Sequence, residues 1–412
     1  MATLCPRIAA PRDAARTTQG QRRFSAANFR HAPKWRFQAK PSEPHSLHRL
    51  TARLPPPFTT NPLPRPGFRQ ARANSRSALN VQATALKVCI VNTAGGGHAV
   101  IGFYLAKELR ELGHDVTIMT VGEESSPKMS KPPFTRFSEL RDVGVNTIWG
   151  EPSDMAAASS NAFDVVIDNN GKTLQAVQPV ADWAKSKGTK QFLFVSSAGI
   201  YKPSFTPPIL ETDPVNENSG HAEVERYLAA LDGVEFSSFR PQYIIGSGNN
   251  KDCEEFFFDR LVRGRPVLIP GSGQQIVNVA HARDNAHMIA LAVGDEAAHG
   301  QIFNCSRDTG VTLDGMVELC AKAAGVQDPQ IIHYDPDQVA RELGIEVKKV
   351  FPFRFAYHFF TEPRAALTML GWTPAGDLAS ELEERFQEYS ASGRGQQDMS
   401  FESDDKIIAE VQ

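Results

Sequence analysis

Cysteine is scarce and unpatterned in this 412-residue chain. Cys5, Cys89, Cys253, Cys305 and Cys320 form no C-x-x-C pair, which excludes a disulfide framework and a cysteine-based zinc site and makes a reducing compartment the default. Long apolar runs are missing too. Pieces such as Val88–Val91 fall far short of the roughly 20 residues that a membrane span needs, so no span is expected. Acids are nearly absent from residues 1–80, where only Asp13 and Glu43 offset 13 Arg and 2 Lys. The remainder therefore holds 29 basic and 45 acidic groups, a net charge of −16 that the near-neutral total of −3 conceals. Such a body excludes a protein that grips nucleic acid through a basic face, and any polyanion must be met at local patches.

What residues 1–83 do contain is Arg, Ser, Ala and Pro, with Pro55-Pro56-Pro57 and Pro62, Pro64 and Pro66 breaking every helical or strand period. A basic, acid-poor, Ser-bearing start without an apolar core matches an organelle transit peptide, with Val81-Gln82-Ala83 as the processing site. A disordered basic arm that touches RNA has the same composition.

From Leu86 the chain reads strand, glycine turn, helix, strand, the opening of an α/β Rossmann-type, doubly wound parallel sheet. Short apolar runs predict strands at Lys87–Val91, Val116–Val121, Val145–Trp149, Asp164–Asp168, Gln191–Ser196 and Glu235–Phe239. Helices are predicted over Ala99–Leu112, Leu174–Lys187 and His221–Leu231, and later over Glu254–Arg263, Leu313–Ala324 and Leu378–Tyr389. The implied division is a Rossmann-type lobe over 84–245, a smaller interleaved C-terminal lobe over 246–393 that returns segments to the first, and a partly mobile tail over 394–412.

The loop Gly95-Gly96-Gly97-His98-Ala99-Val100-Ile101-Gly102 lies where a dinucleotide fingerprint belongs. With Gly96 first and Gly102 third, Ala99 puts a methyl where the pyrophosphate needs close approach, and Thr120-Val121-Gly122 lacks the acid that binds ribose hydroxyls. Gly96, Gly97 and Gly102 thus make either a vestigial turn or an anion site at the helix N-terminus, and these residues argue against NAD(P).

Val195-Ser196-Ser197-Ala198-Gly199-Ile200-Tyr201, Phe239-Arg240-Pro241-Gln242-Tyr243 and Pro270-Gly271-Ser272-Gly273 resemble, in order and spacing, the extended short-chain dehydrogenase and sugar-nucleotide epimerase family from about Lys87 to Trp372. That family works through a Tyr-x-x-x-Lys pair, in which the lysine lowers the phenol pKa. Counting back from Glu225 places Glu217 at the tyrosine position and His221 at the lysine position, and an ionised carboxylate is no phenol-type proton donor. Lys131-Pro132-Pro133-Phe134, Phe163 to Gly171 and Gly246 to Glu255 are similar to the chloroplast stem-loop-binding family, a-type. This resemblance implies a plastid (stromal) RNA-binding protein, a divalent-metal-dependent endoribonuclease acting on stem-loops. It also implies association with ribosomal particles and rRNA maturation, Mg²⁺ as cofactor, and homo-oligomers or hetero-oligomers with a b-type paralogue. A non-catalytic ribosome-assembly scaffold and an NAD(P)-dependent oxidoreductase or epimerase are the rival readings.

Metal-assisted phosphodiester cleavage needs clustered carboxylates. Asp252, Glu254 and Glu255 are the densest set near the family's crevice, although the D-x-x-E spacing of Asp252 and Glu255 also fits a capping box. Asp168 closes a predicted parallel strand, where ligands of open sheets bind, or else starts an Asp-Asn-Asn-Gly turn. Glu217 and His221 occupy the family's catalytic positions, and a histidine near its ordinary pKa passes protons, unless both simply face solvent on a helix. For RNA contact, Arg260, Arg263 and Arg265 flank Phe256–Phe258, while Lys348, Lys349 and Arg354 flank Phe351, Phe353 and Phe355 in a predicted loop.

Overall fold

The computed structural model describes residues 84–93, 99–249 and 251–412. The first lobe alternates β1 (Lys87–Asn92), α1 (Ala99–Glu111), β2 (Asp115–Val121), the short α2 (Phe137–Asp142), β3 (Asn146–Gly150), the one-turn α3 (Met155–Ala158) and β4 (Val165–Asp168). It continues through α4 (Leu174–Ser186), β5 (Gln191–Val195), α5 (Gly220–Ala229) and β6 (Glu235–Pro241). The second lobe adds β7 (Tyr243–Ile245), α6 (Glu255–Leu261), β8 (Val267–Pro270), β9 (Ile276–Val277) and β10 (Val279–His281). Then α7 (Ala282–Ala292) and β11 (Ile302–Cys305) return to the first lobe. The chain ends with β12 (Val311–Thr312), α8 (Leu313–Ala324), β13 (Ile331–Tyr334), α9 (Pro336–Leu343), α10 (Val347–Val350), α11 (Leu378–Ala391) and α12 (Glu402–Val411).

Seven strands form one sheet in the order β11-β6-β5-β4-β1-β2-β3, with every neighbouring pair parallel. This is the doubly wound architecture that the strand–helix alternation predicts. The sheet is buried on both sides because alternate residues of each strand enter different cores. Val88 and Ile90 face the core closed by α1 and α7, while Cys89 and Val91 face the one closed by α4 and α5. The order reverses between β1 and β4, so the carboxyl ends of β1, β4 and β5 open the crevice where such sheets take ligands.

Three two-stranded ribbons, β10-β7, β12-β9 and β13-β8, frame the second lobe around its own core. All three rings of Phe256–Phe258 lie in that core, together with Phe351 and Phe353. Residues 394–412, read from the sequence as a partly mobile tail, instead turn at Gly393–Gln396 and form α12, which buries Ile407 and Asp404. No helix among the described residues is long and apolar enough to cross a membrane.

Candidate functional site

The crevice floor is built from the strand ends. Asn169 Nδ2 donates to Asn92 Oδ1 at 2.8 Å, and Asn92 Nδ2 to Thr120 Oγ1 at 3.3 Å, a ladder of uncharged side chains across β4, β1 and β2. Gly102 lets α1 close onto this ladder, since a Cβ there would lie 2.6 Å from Asn169 Nδ2. Its role is helix-to-sheet packing, as for the third glycine of a fingerprint. Gly96 and Gly97 lie outside the described residues. Where an acid would meet a ribose, Thr120 is buried in the ladder, the Lys128 ammonium donates to Val121 O, and Glu124 is held by Arg141 at 2.8 Å.

Asp168 is fully buried behind this floor. It receives the Thr93 hydroxyl and the Gly171 N–H, the latter at 2.7 Å, so the Asp-Asn-Asn-Gly segment is a side-chain-closed turn. Burial, resisted by the bonds from Thr93, Gly171 and Asn170, pushes its carboxyl up to about 6. As a catalytic or metal-binding group it is therefore misplaced: one oxygen is turned to its own turn and the other to Thr93.

Above the floor, between the two lobes, opens a cavity of about 640 Å³. Lys172, Ser197 and His221 contribute from the sheet side, and Tyr243, Lys251, Lys348 and Arg354 from the second lobe. Among the described residues four cations line it and no carboxylate does. Ser219 caps α5 by accepting from Ala222 N at 3.3 Å, which sets His221 in the first turn at the cavity wall. Burial holds the His221 imidazole below its ordinary pKa, with Lys172 adding to the effect and Glu225 opposing it, so it is neutral at pH 7. One turn on, Glu225 is locked by Arg240 at 2.6 and 3.0 Å, and Arg240 also donates to Tyr201 Oη at 2.9 Å. Glu217 does not join His221. It is exposed, paired with Arg226 at 2.6 Å, and absent from the cavity lining, so the two family positions form no catalytic pair.

Arg354 spans the cavity edge. Its backbone N–H donates to Tyr243 Oη at 2.7 Å, its guanidinium to Gly199 O at 3.1 Å and to Tyr357 Oη, and the guanidinium carbon sits 4.2 Å from the Phe359 ring centre. Lys348 lies on the single turn of α10, not in the predicted loop, and it lines the cavity. Lys349 faces elsewhere, paired with Glu346 at 2.6 Å. Phe351 and Phe353 serve the core, leaving the half-buried Phe355 and Tyr357 as the more available rings of the wall.

The three carboxylates expected to hold a metal are each paired with arginine. Glu254 is buried, accepts from Arg385 Nε at 2.7 Å and from Gly246 N at 3.1 Å, and occupies the N-cap position of α6 without a side-chain cap bond. Asp252 accepts from Arg394 at 2.9 Å, and Glu255 lies 3.3 Å from Arg385 and 3.4 Å from Arg394. Burial and the neighbouring Glu254 charge push Glu255 up to about 8, whereas at Asp252 burial is outweighed by Arg394 and the bond with Glu255, which hold the carboxyl below its ordinary range. The trio is an ionic lock between α6 and the segment from α11 onward, neither a metal cage nor a capping box. No group of three or more His, Cys, Asp or Glu among the described residues is arranged to hold a metal ion.

The first basic patch is consumed in the same way. Arg260 pairs with Asp404 at 2.8 and 2.9 Å, Arg265 with Asp405, and Arg263 donates to the carbonyls of Arg394 at 3.0 Å and Gln397 at 2.8 Å. These three arginines fasten the C-terminal segment and leave no guanidinium free for phosphate. Missed in the sequence were Lys172 and Lys251. Their signal was position, two or more residues past a strand end or glycine turn at the crevice.

A seven-stranded parallel sheet with a ligand crevice at its switch point and a second lobe closing over it defines the extended dehydrogenase class. The chain belongs to the NAD dependent epimerase/dehydratase family, whose pattern matches residues 95–306. It is 35% identical over 343 residues, 81% of this chain and 87% of the relative, to the chloroplast stem-loop binding protein of 41 kDa b of Arabidopsis thaliana. It is 23% identical to UDP-glucose 4-epimerase of Corynebacterium glutamicum over 72% of this chain and 95% of that one. Among solved structures, the UDP-glucose-4-epimerase of Stenotrophomonas maltophila with bound NAD and formylated UDP-arabinopyranose superposes with a TM-score of 0.60 at 16% identity, covering 75% of this chain and 99% of that one, a likeness of fold.

Proposed function

We propose that this chain is a chloroplast RNA-binding protein that meets its RNA at the inter-lobe cavity. The observation that carries the proposal is the concentration of Lys172, Lys251, Lys348 and Arg354 around one aromatic-walled opening, with no carboxylate among the described residues that line it, in a body of net charge −16. Positive charge is gathered at that opening, and ring faces beside cations suit unpaired RNA. The stem-loop binding relative from Arabidopsis supports both the ligand class and the compartment. Endonucleolytic cleavage of stem-loops and association with ribosomal particles and rRNA maturation are part of the same proposal. In it, His221 is the cavity's neutral proton acceptor, and no metal step passes through Asp252, Glu254 and Glu255.

The test is fluorescence anisotropy of the recombinant protein with a structured plastid RNA across a salt series, with gels run with and without Mg²⁺. Three or four phosphate contacts give a slope of log K against log salt of about −2 to −3, shallow for an RNA binder. Absence of binding at 50 mM salt overturns the reading. An NAD(P)-dependent epimerase is the second reading, favoured by the family match. Tight NAD(P)H binding with turnover of a sugar nucleotide would establish it, against the solvent-facing Glu217 at the tyrosine position.

A further inference from the structure

We infer that the cavity receives one or two unpaired nucleotides extruded from an RNA loop or bulge, and that the paired stem stays outside. The inference rests on the RNA-binding reading above and names the part of the RNA that is bound. Three observations carry it.

The first is size. A volume of about 640 Å³ is that of a site enclosing one small molecule, within the roughly 300–1,000 Å³ usual for such sites. A stem is read in another way, along a surface spanning about 16 base pairs. The second is where positive charge is available. Arg260, Arg263 and Arg265, which would extend a basic track over the second lobe, are bound to Asp404, Asp405 and backbone carbonyls. The acidic remainder repels a stem lying along it, while a flexible strand can pass one phosphate inward to Lys172 or Lys348. The third is the wall chemistry. Phe355 and Tyr357 line the cavity half-buried, Lys251 Nζ stands 5.3 Å from the Tyr243 ring centre, and the Ser197 hydroxyl, which accepts from Gly199 N at 3.0 Å, keeps its proton to donate. Gln242, by contrast, is committed on both sides: its amide N–H donates to Phe359 O and its carbonyl accepts from Thr361. Rings and cations thus outnumber free polar groups, so the cavity selects an unpaired nucleotide through stacking and charge more than through base identity.

The experiment compares three ligands on the full protein: a hairpin with an eight-nucleotide open loop, a blunt duplex of the same stem, and AMP as competitor. The open-loop hairpin is expected to bind about tenfold more tightly than the duplex. AMP should displace it, and 2-aminopurine in the loop should change fluorescence on binding. Lys172→Ala with Lys348→Ala, both exposed positions that leave the fold intact, should weaken the open-loop hairpin about tenfold, while Lys349→Ala leaves it unchanged. Equal affinity for hairpin and duplex, or full affinity in the double variant with no displacement by AMP, overturns the cavity assignment while RNA binding stands. Failure of every RNA to bind overturns the RNA-binding reading itself, and the cavity assignment with it.

Discussion

Replacing Glu254 by Ala separates the two meanings of the acidic cluster. The Glu254 and Arg385 side chains are each 2% exposed and lie 2.7 Å apart, so the substitution strands a buried guanidinium. Removing one partner of a buried pair costs about 3–5 kcal/mol, because the remaining charge stays desolvated. Glu255 at 3.3 Å and Glu388 still face Arg385, which places the loss near the lower figure, about 3 kcal/mol. For a body of about 330 residues that corresponds to a fall in melting temperature of about 4 °C. Asp252 is 53% exposed, and Asp252→Asn should cost no more than about 1 kcal/mol. Adding Arg385→Met to Glu254→Ala should recover part of the loss, since no unpaired charge then remains. The assay is calorimetric melting with and without EDTA, paired with RNA cleavage by each folded variant. If Glu254→Ala melts like the parent, or if EDTA lowers the parent's melting temperature while both folded variants lose cleavage, the lock is refuted and a metal site takes its place.

Two further outcomes follow from buried groups. His281 caps α7 by accepting from Arg283 N at 3.0 Å, and burial, helped by Arg283, Arg385 and Arg307, lowers its pKa to about 3. The unfolded chain takes up a proton near pH 6.5 that the folded chain refuses, so this stability is complete above pH 6.5 and is lost as the pH falls towards 3. From pH 6.5 to 5 the loss is about 2 kcal/mol, and His281→Asn, which keeps a capping acceptor, should flatten that part of the stability curve relative to the parent. An unchanged slope in chemical denaturation would discard the assignment. Ending the chain at Gln397 removes α12, uncovers the site of Ile407 and leaves Arg260 without Asp404, so a loss of at least about 3 kcal/mol is expected. A truncated protein with the parent's melting temperature would restore the view of residues 394–412 as a loose tail.

The sequence by itself determined six of the seven strands of the sheet, and the edge strand Ile302–Cys305 was not read from it. Strands such as Gln191–Val195 and helices such as Leu313–Ala324 are legible because a parallel strand buried on both faces is a short apolar run, and because helix periodicity is local. The departure from the family's Tyr-x-x-x-Lys pair was legible too, since Glu217 and His221 follow from counting back from Glu225 along the chain. Charge is different, because whether a carboxylate or guanidinium is available depends on partners that spacing does not show. Arg394 lies 142 residues from Asp252, Asp404 lies 144 from Arg260, and nothing local to α6 announces either arginine or acid. Local reading therefore offered a metal cluster and a basic patch, and both are ion pairs that hold the C-terminal segment. The four-cation cavity went the other way. Lys172 and Lys348 are 176 residues apart in sequence, and only the docking of the second lobe over the ends of β4 and β5 brings their charges to one opening.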